Sequence, residues 1–193
     1  MNSDTSSRNV SLTSLPYTKC TSILVTGSGF LITLHTDRTT HRGGGTAFLV
    51  KNSIDRHPTP IASSSFENTT TAIHLPDNSC ITEAKINRPH HGRINTHEID
   101  SVFNQSTKGI AVGDYNAKHS AWSKGRSNTN GAIIHDHIAS NNLVLLAPLE
   151  PPYFPYNQPS SNTLDFGIMK DISAGNATSH NDLSSDHNPV FFE

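Results

Sequence analysis

A chain of 193 residues is long enough for one packed core and short for two. Its formal net charge is −2 with histidines neutral, which excludes a global basic footprint for nucleic acid and leaves only a local patch to serve that purpose. An apolar fraction of 33% confines the core to a few dense strands.

Residues 1–21 are rich in Ser, Thr and Asn, lack an apolar signal core and are expected to be loosely ordered. Residues 22–26 and 30–34 flank Gly27-Ser28-Gly29 and read as a short hairpin. Residues 46–50 read as a strand entered through Gly43-Gly44-Gly45, a glycine run without the Lys-Ser/Thr of a phosphate-binding loop. Residues 70–75 alternate weakly and make another strand. Asn95 is placed to cap a helix running to about Phe103, with Glu98 completing a capping box and Ile99, Val102 and Phe103 facing inward. The apolar run 109–112 reads as a buried strand that delivers Asp114. A second helix is expected over 130–141, with Ile133, Ile134 and Ile138 as its stripe. His135 and His137 point to different sides of it and read as surface residues.

Residues 143–146 follow as a strand ended by Pro148, and then an extended aromatic connector runs from Pro151 through Tyr153 to Tyr156. Residues 164–169 form a strand carrying Asp165, and 190–192 form the last one. Strands interleaved with few helices imply two sheets packed face to face with helices outside. Cys20 and Cys80 make no zinc spacing and read as reduced thiols of an intracellular protein. No run approaches the ~20 apolar residues of a membrane-spanning helix.

Two segments carry chemistry. Gly113-Asp114-Tyr115-Asn116-Ala117-Lys118-His119 and Ser185-Asp186-His187-Asn188-Pro189 each set a carboxylate beside a second polar group. Singly, Gly-Asp-x-Asn favours a turn. As an ordered set with Thr163-Leu164-Asp165 between them, strand-end acids point to a site, because such acids are rigidly held and still face an opening. Lys118, Lys124 and Arg126 supply the candidate basic patch. Trp122 reads as a packed core aromatic rather than a base-stacking platform.

Together with Arg42-Gly43-Gly44-Gly45-Thr46, Asn95-Thr96-His97-Glu98, Trp122 and the Tyr153-Phe154-Pro155-Tyr156-Asn157 stretch, these motifs occur in the order found in one family. The chain from Arg42 to Glu193 resembles the endonuclease domain of jockey-type non-LTR retrotransposons, a branch of the endonuclease/exonuclease/phosphatase superfamily similar in fold to apurinic endonucleases and DNase I. The resemblance implies an α+β fold, a four-layer α/β/β/α sandwich that is incomplete at its amino-terminal side. Residues 1–41 would be a diverged segment and 42–193 the domain.

The resemblance further implies hydrolysis of a phosphodiester in DNA, in the nucleus, as the nick that precedes target-primed reverse transcription. Asp186 would be the metal-side acid for Mg2+ or Mn2+, and His187 would bear on the attacking water, oriented by Asp165. Asp114 would be the general acid/base and Asn116 the amide at the scissile phosphate, with His119 also on the substrate side. The chain departs from the family pattern in three places, one of them residues 173–182, which are polar where the family usually carries an apolar strand. No Glu precedes Glu67, so the expected metal-ligating Glu is missing. Asn87-Arg88-Pro89-His90 stands where a Tyr-x-Pro-Pro segment carries the catalytic tyrosine. An impaired, truncated or diverged copy is therefore expected; the alternative is a non-catalytic nucleic-acid-binding remnant of the same fold. No protein partner can be inferred.

Overall fold

Alternating residues in the middle of the chain pair into one mixed sheet that organises everything else. The computed structural model describes residues 31–37, 45–156, 161–173, 175–181 and 186–193. The strands are β1 (Leu31–Asp37), β2 (Gly45–Lys51), β3 (Arg56–Pro58), β4 (Glu67–His74), β5 (Cys80–Asn87), β6 (Lys108–Asp114), β7 (Val144–Leu146), β8 (Asp165–Lys170), β9 (Ala177–Ser179) and β10 (Val190–Phe192). The helices are α1 (Thr96–Phe103), between β5 and β6, and α2 (Thr129–Ser140), between β6 and β7. Six strands make the main sheet in the order β3-β4-β5-β6-β8-β7, with β5 and β6 parallel and the other pairs antiparallel. The parallel step is the one bridged by α1, as a crossover requires.

The two faces of this sheet are chemically different. One presents Ala84, Ile86, Ala111, Phe166 and Ile168, which pack with Ile99, Val102 and Phe103 of α1 and Ile134 of α2. The other meets two short antiparallel ladders. Over β4, Thr69 Oγ1 lies 2.7 Å from Thr46 Oγ1 of β2 and 3.0 Å from Thr36 Oγ1 of β1. Over β7 and β8, Leu146 and Met169 pack with Ala177 and Val190 of the β9–β10 ladder. Helices, sheet and second sheet thus stack as layers, the α+β arrangement expected from the interleaved pattern.

Several local expectations need correcting. Residues 31–34 do belong to a strand, but β1 pairs with β2, from Leu31↔Lys51 to Asp37↔Gly45, while Phe30 and residues 22–26 lie outside the described residues. So do the remainder of the 1–41 segment, except Leu31–Asp37, and Gly43 and Gly44 of the presumed entry turn; Gly45 is part of β2. Asn95 caps α1, accepting from His97 N at 3.2 Å. Glu98, however, closes no capping box. Its carboxylate accepts from the Ser63, Ser64 and Ser65 hydroxyls and from the Ser64 and Ser65 amides, and Asn95 N donates instead to Ser65 Oγ at 3.1 Å. A tertiary ligand with five donors outcompetes one backbone amide.

His137 is not a surface residue. Its side chain is 8% exposed and its Nε2 lies 3.0 Å from Asp100 Oδ1 of α1. Cys80 is a free thiol, and Cys20 lies outside the described residues. Among the described residues no helix is long and apolar enough to cross a membrane.

Candidate active site

Asp114 ends β6 and Asp165 begins β8, and the register pairs them directly; Asn87, the last residue of β5, pairs with Asp114 from the other side. Two carboxylates therefore meet at one end of the main sheet. What brings β6 in so closely is Gly113. It has φ +148, and a Cβ there would stand 1.8 Å from the Ile86 carbonyl oxygen. Only glycine tolerates both the dihedral and the approach. Tyr115 then turns into the core, fully buried, stacked on Phe166 at 4.4 Å and donating to Ala111 O at 3.0 Å.

Asn116 adopts φ +46, a left-handed conformation that Asn accepts more readily than most residues. Its backbone N–H donates to Asp114 Oδ1 at 2.8 Å, and its amide to Asp114 Oδ2 at 3.1 Å and Arg88 O at 2.6 Å. Both amide hydrogens are thus directed within the protein. Asn116 holds Asp114 and the Arg88 turn, and contact with a phosphate would exchange one of these bonds.

His187 arrives from the far end of the chain. Pro152 O accepts from Asn188 N at 2.7 Å, Phe154 N donates to Asp186 O at 2.7 Å, and Tyr153 bridges His187, so the aromatic connector straps this segment down. The result is a bond between His187 Nδ1 and Asp165 Oδ2 of 2.8 Å. Asp165 is fully buried, and its Oδ1 makes no hydrogen bond among the described residues. Asp114, Asn116, Asp165 and His187 therefore converge, and Asp186 stands close enough for its charge to act on both His187 and Tyr153.

The electrostatics follow from crowding acids. Burial first, and then the Asp165 charge, push Asp114 up to about 7, against the opposing pull of His187, the Asn116 amide and Lys85. Burial alone would lower His187, but the Asp165 hydrogen bond and the charges of Asp165, Asp114 and Asp186 outweigh it and hold the imidazole above its ordinary value.

The excess of negative charge suits a hard cation, and the acid oxygens are the right donors. The ligand set does not close, however: among the described residues no three His, Cys, Asp or Glu side chains come together to hold a metal ion. Glu67 sits in the same cross-sheet row, paired with Asn87 and hydrogen-bonded to it at 2.9 Å. His119 does not join the carboxylates. It stacks on His135 at 4.0 Å, packs against Trp122 at 5.1 Å and accepts from Ala121 N at 3.2 Å. Trp122 packs against Phe166 within the core, as expected.

Sequence reading did not single out Tyr153 and Arg88. Tyr153 places its ring 4.6 Å from His187, and burial together with the Asp186 and Asp114 charges raises its pKa. Arg88 is 1% exposed, and its amide donates to Asp114 O at 2.8 Å. The only sequence signal for Tyr153 was its place in the aromatic connector. Arg88 offered no signal, since an arginine after a strand is ordinarily solvated.

Residues 84–191 match the model of the family described as "Endonuclease-reverse transcriptase". The chain is 30% identical over 151 residues to the RNA-directed DNA polymerase from mobile element jockey of Drosophila funebris, covering 76% of this chain and 16% of that protein. It is 31% identical over 152 residues to the probable RNA-directed DNA polymerase from transposon X-element of Drosophila melanogaster, covering 76% and 17%. The chain thus spans about a sixth of the length of these curated relatives. In three dimensions it is similar to the endonuclease domain of TRAS1, a telomere-specific non-LTR retrotransposon, with a TM-score of 0.68 at 20% identity over 84% of this chain and 77% of that one. The chain belongs to the family described as endonuclease-reverse transcriptase, and its fold is that of the TRAS1 endonuclease domain.

Proposed function

We propose that the chain hydrolyses phosphodiester bonds in DNA as a slow nicking endonuclease, acting on chromosomal DNA in the nucleus ahead of reverse transcription. The observation that carries this reading is the 2.8 Å bond from His187 to Asp165 beside the cross-strand carboxyl of Asp114. With Asp165 Oδ2 as the acceptor of this bond, Nδ1 of His187 carries the hydrogen and catalysis falls to Nε2. With its pKa raised, the imidazole donates to a phosphate oxygen and offsets the charge that develops there. Asp114 at about 7 exchanges a proton with the reacting oxygen at neutral pH, where an ordinary carboxylate could not donate one. Asn116 fixes the direction in which Asp114 presents its oxygens. A divalent cation, Mg2+ or Mn2+, would supply charge neutralisation from beside Asp186, held weakly by one carboxylate and water.

Nicking of supercoiled plasmid at millimolar Mg2+ and enzyme in excess tests the reading. A slow rate is expected, dependent on the cation and lost in both His187→Ala and Asp114→Asn. Grafting a family-like amino-terminal segment that brings its Asn and Glu should raise it. The open ligand set favours a second reading, a nucleic-acid-binding module without turnover. DNA binding with no nicking, even after the graft, would decide for that module.

A further inference from the structure

At the end of the main sheet opposite the carboxylates, three strands bring two imidazoles and a thiol into one row. His74 closes β4 and Cys80 opens β5, and the register makes them direct cross-strand partners. Cys80 Sγ lies 3.3 Å from His74 Nδ1, and the other nitrogen of that ring, Nε2, lies 3.0 Å from His57 Nδ1 on β3. Both imidazole residues are exposed and the cysteine is half-buried, so the row is open to solvent. The proposed phosphodiester chemistry uses none of these side chains. β5 runs eight residues from Cys80 to Asn87, the neighbour of Asp114, which puts the row roughly 20 Å from that carboxyl.

The backbone beneath the row is fixed from both sides. In the turn between β4 and β5, Leu75 N donates to Ser79 O at 2.8 Å and Asn78 N to Leu75 O at 3.0 Å. Asp77 Oδ1 accepts from the amide and the hydroxyl of Ser79, at 3.0 and 2.6 Å. On the other side His74 N donates to Asp55 O at 2.9 Å and Thr71 Oγ1 to His57 O at 3.0 Å, which clamps β3 against β4. Side chains on so rigid a frame are already positioned for a ligand.

The distances match one edge of a coordination shell. Zinc bonds of about 2.3 Å to sulfur and about 2.0–2.1 Å to imidazole nitrogen span an S···N distance of about 3.1 Å at a right angle and about 3.5 Å at the tetrahedral angle. The 3.3 Å from Cys80 to His74 lies between them. The hydrogen bonding fits as well. With His74 Nε2–H donating to His57 Nδ1, the lone pair of the His74 ring sits on Nδ1 and faces the thiol. A cation entering there displaces the thiol proton to solvent and leaves the His74 tautomer as it was.

We propose that Cys80 Sγ and His74 Nδ1 bind a divalent cation of the zinc class, with His57 as the positioning residue that holds the His74 ring from its far side. Among the described residues no group of three His, Cys, Asp or Glu side chains can hold one ion, so water fills the remaining positions. Thiolate and imidazole select this class over Mg2+ and Ca2+, which take oxygen. Two residues separated in sequence like His74 and Cys80 match no zinc motif, because cross-strand register makes the pair.

Co2+ is the probe, titrated into the full reduced chain near neutral pH in millimolar Mg2+. A bound thiolate gives a sulfur-to-cobalt charge-transfer absorption that oxygen and nitrogen ligands do not. The absorption should grow to saturation, withstand excess Mg2+ and disappear when Zn2+ is added. Cys80→Ser and His74→Gln should each abolish it. His57→Gln should keep the absorption but weaken Co2+ binding about tenfold, the loss expected when the outer partner of a metal-bound imidazole is removed. Zn2+ should also shift the ring resonances of His74 in the unsubstituted chain, a reading that needs no variant. An absent absorption, one that survives Cys80→Ser or His74→Gln, or His74 resonances that Zn2+ leaves in place would overturn the site. Unchanged affinity in His57→Gln would overturn the role given to His57.

Discussion

Asp114 and Asp165 are cross-strand partners, one closing β6 and the other opening β8, and each is committed to a different neighbour. Asp165 bonds to the imidazole of His187, while Asp114 accepts from the backbone and amide N–H groups of Asn116. Burial, and after it the charge of Asp165 beside it, raise the Asp114 carboxyl to about 7. That division separates an orienting acid from a proton-exchanging one.

Replacing Asp165 with Asn removes the hydrogen bond and the charge that raise His187 and leaves the burial that lowers it. The imidazole should titrate lower in the variant than in the wild type, followed by NMR of the His187 ring. Any nicking should fall by roughly 10²–10⁴-fold, as for loss of an orienting acid. An unchanged His187 titration would separate the two residues.

Stability should decline as pH rises from about 4 to 7. Asp114, ordinarily 3.8, and Glu83, ordinarily 4.5, are both raised to about 7, chiefly by burial. Below their unfolded values both states are protonated; in the window above, the unfolded chain ionises first and is favoured. His187, raised above 6.5, adds stability that is likewise lost as pH climbs through its folded value. Glu83→Gln should therefore stabilise the fold by about 1–2 kcal/mol at pH 8 and by little near pH 4, in urea denaturation. Equal effects at both pH values would contradict a desolvated carboxyl.

Glu98 works in the opposite direction. Its carboxyl is lowered to about 2, because hydrogen bonds from Ser63, Ser65 and Ser64 outweigh its partial burial. Its contribution is present above 4.5 and is lost as pH falls toward 2. Glu98→Ala should cost about 1–2 kcal/mol at pH 7 and release the 63–65 turn, seen as faster amide exchange at Ser64 and Ser65. Unaltered exchange there would show that the turn stands without the carboxylate.

Gly113→Ala should be among the most damaging single substitutions. The added methyl meets the Ile86 carbonyl at 1.8 Å on a backbone that non-glycine residues avoid, so a loss above about 3 kcal/mol is expected in thermal or chemical denaturation. Because the change pushes β6 away from β5, it should also lower any nicking measured below the transition. A near-neutral result would mean that Gly113 does not set the strand separation.

Much of this molecule could be read from local pattern. Asn95, the Ile99, Val102 and Phe103 stripe, the apolar run before Asp114, and the ordered trio of Asp114, Asp165 and Asp186-His187 all declare themselves over short spans, where propensity and capping act. β5 was not legible. Glu83 and Lys85 alternate with Thr82, Ala84 and Ile86, and charged residues on one strand face signal solvent until a second sheet is known to lie over them. β9 escaped for a different reason: its three polar-flanked residues are a strand only because β10 pairs with them.

The amino-acid sequence by itself determined both helices, the strands that deliver Asp114 and Asp165, and which residues carry reactive groups. Only the tertiary structure decided that Asp114 faces Asp165, that Tyr153 packs on His187, that His119 turns to His135 instead, and that Glu98 leaves its helix cap for three serines. The physical reason is range. Helix periodicity and caps are settled within a few residues, whereas strand register and side-chain partners are settled by contacts between segments distant in sequence, whose competition no local pattern records.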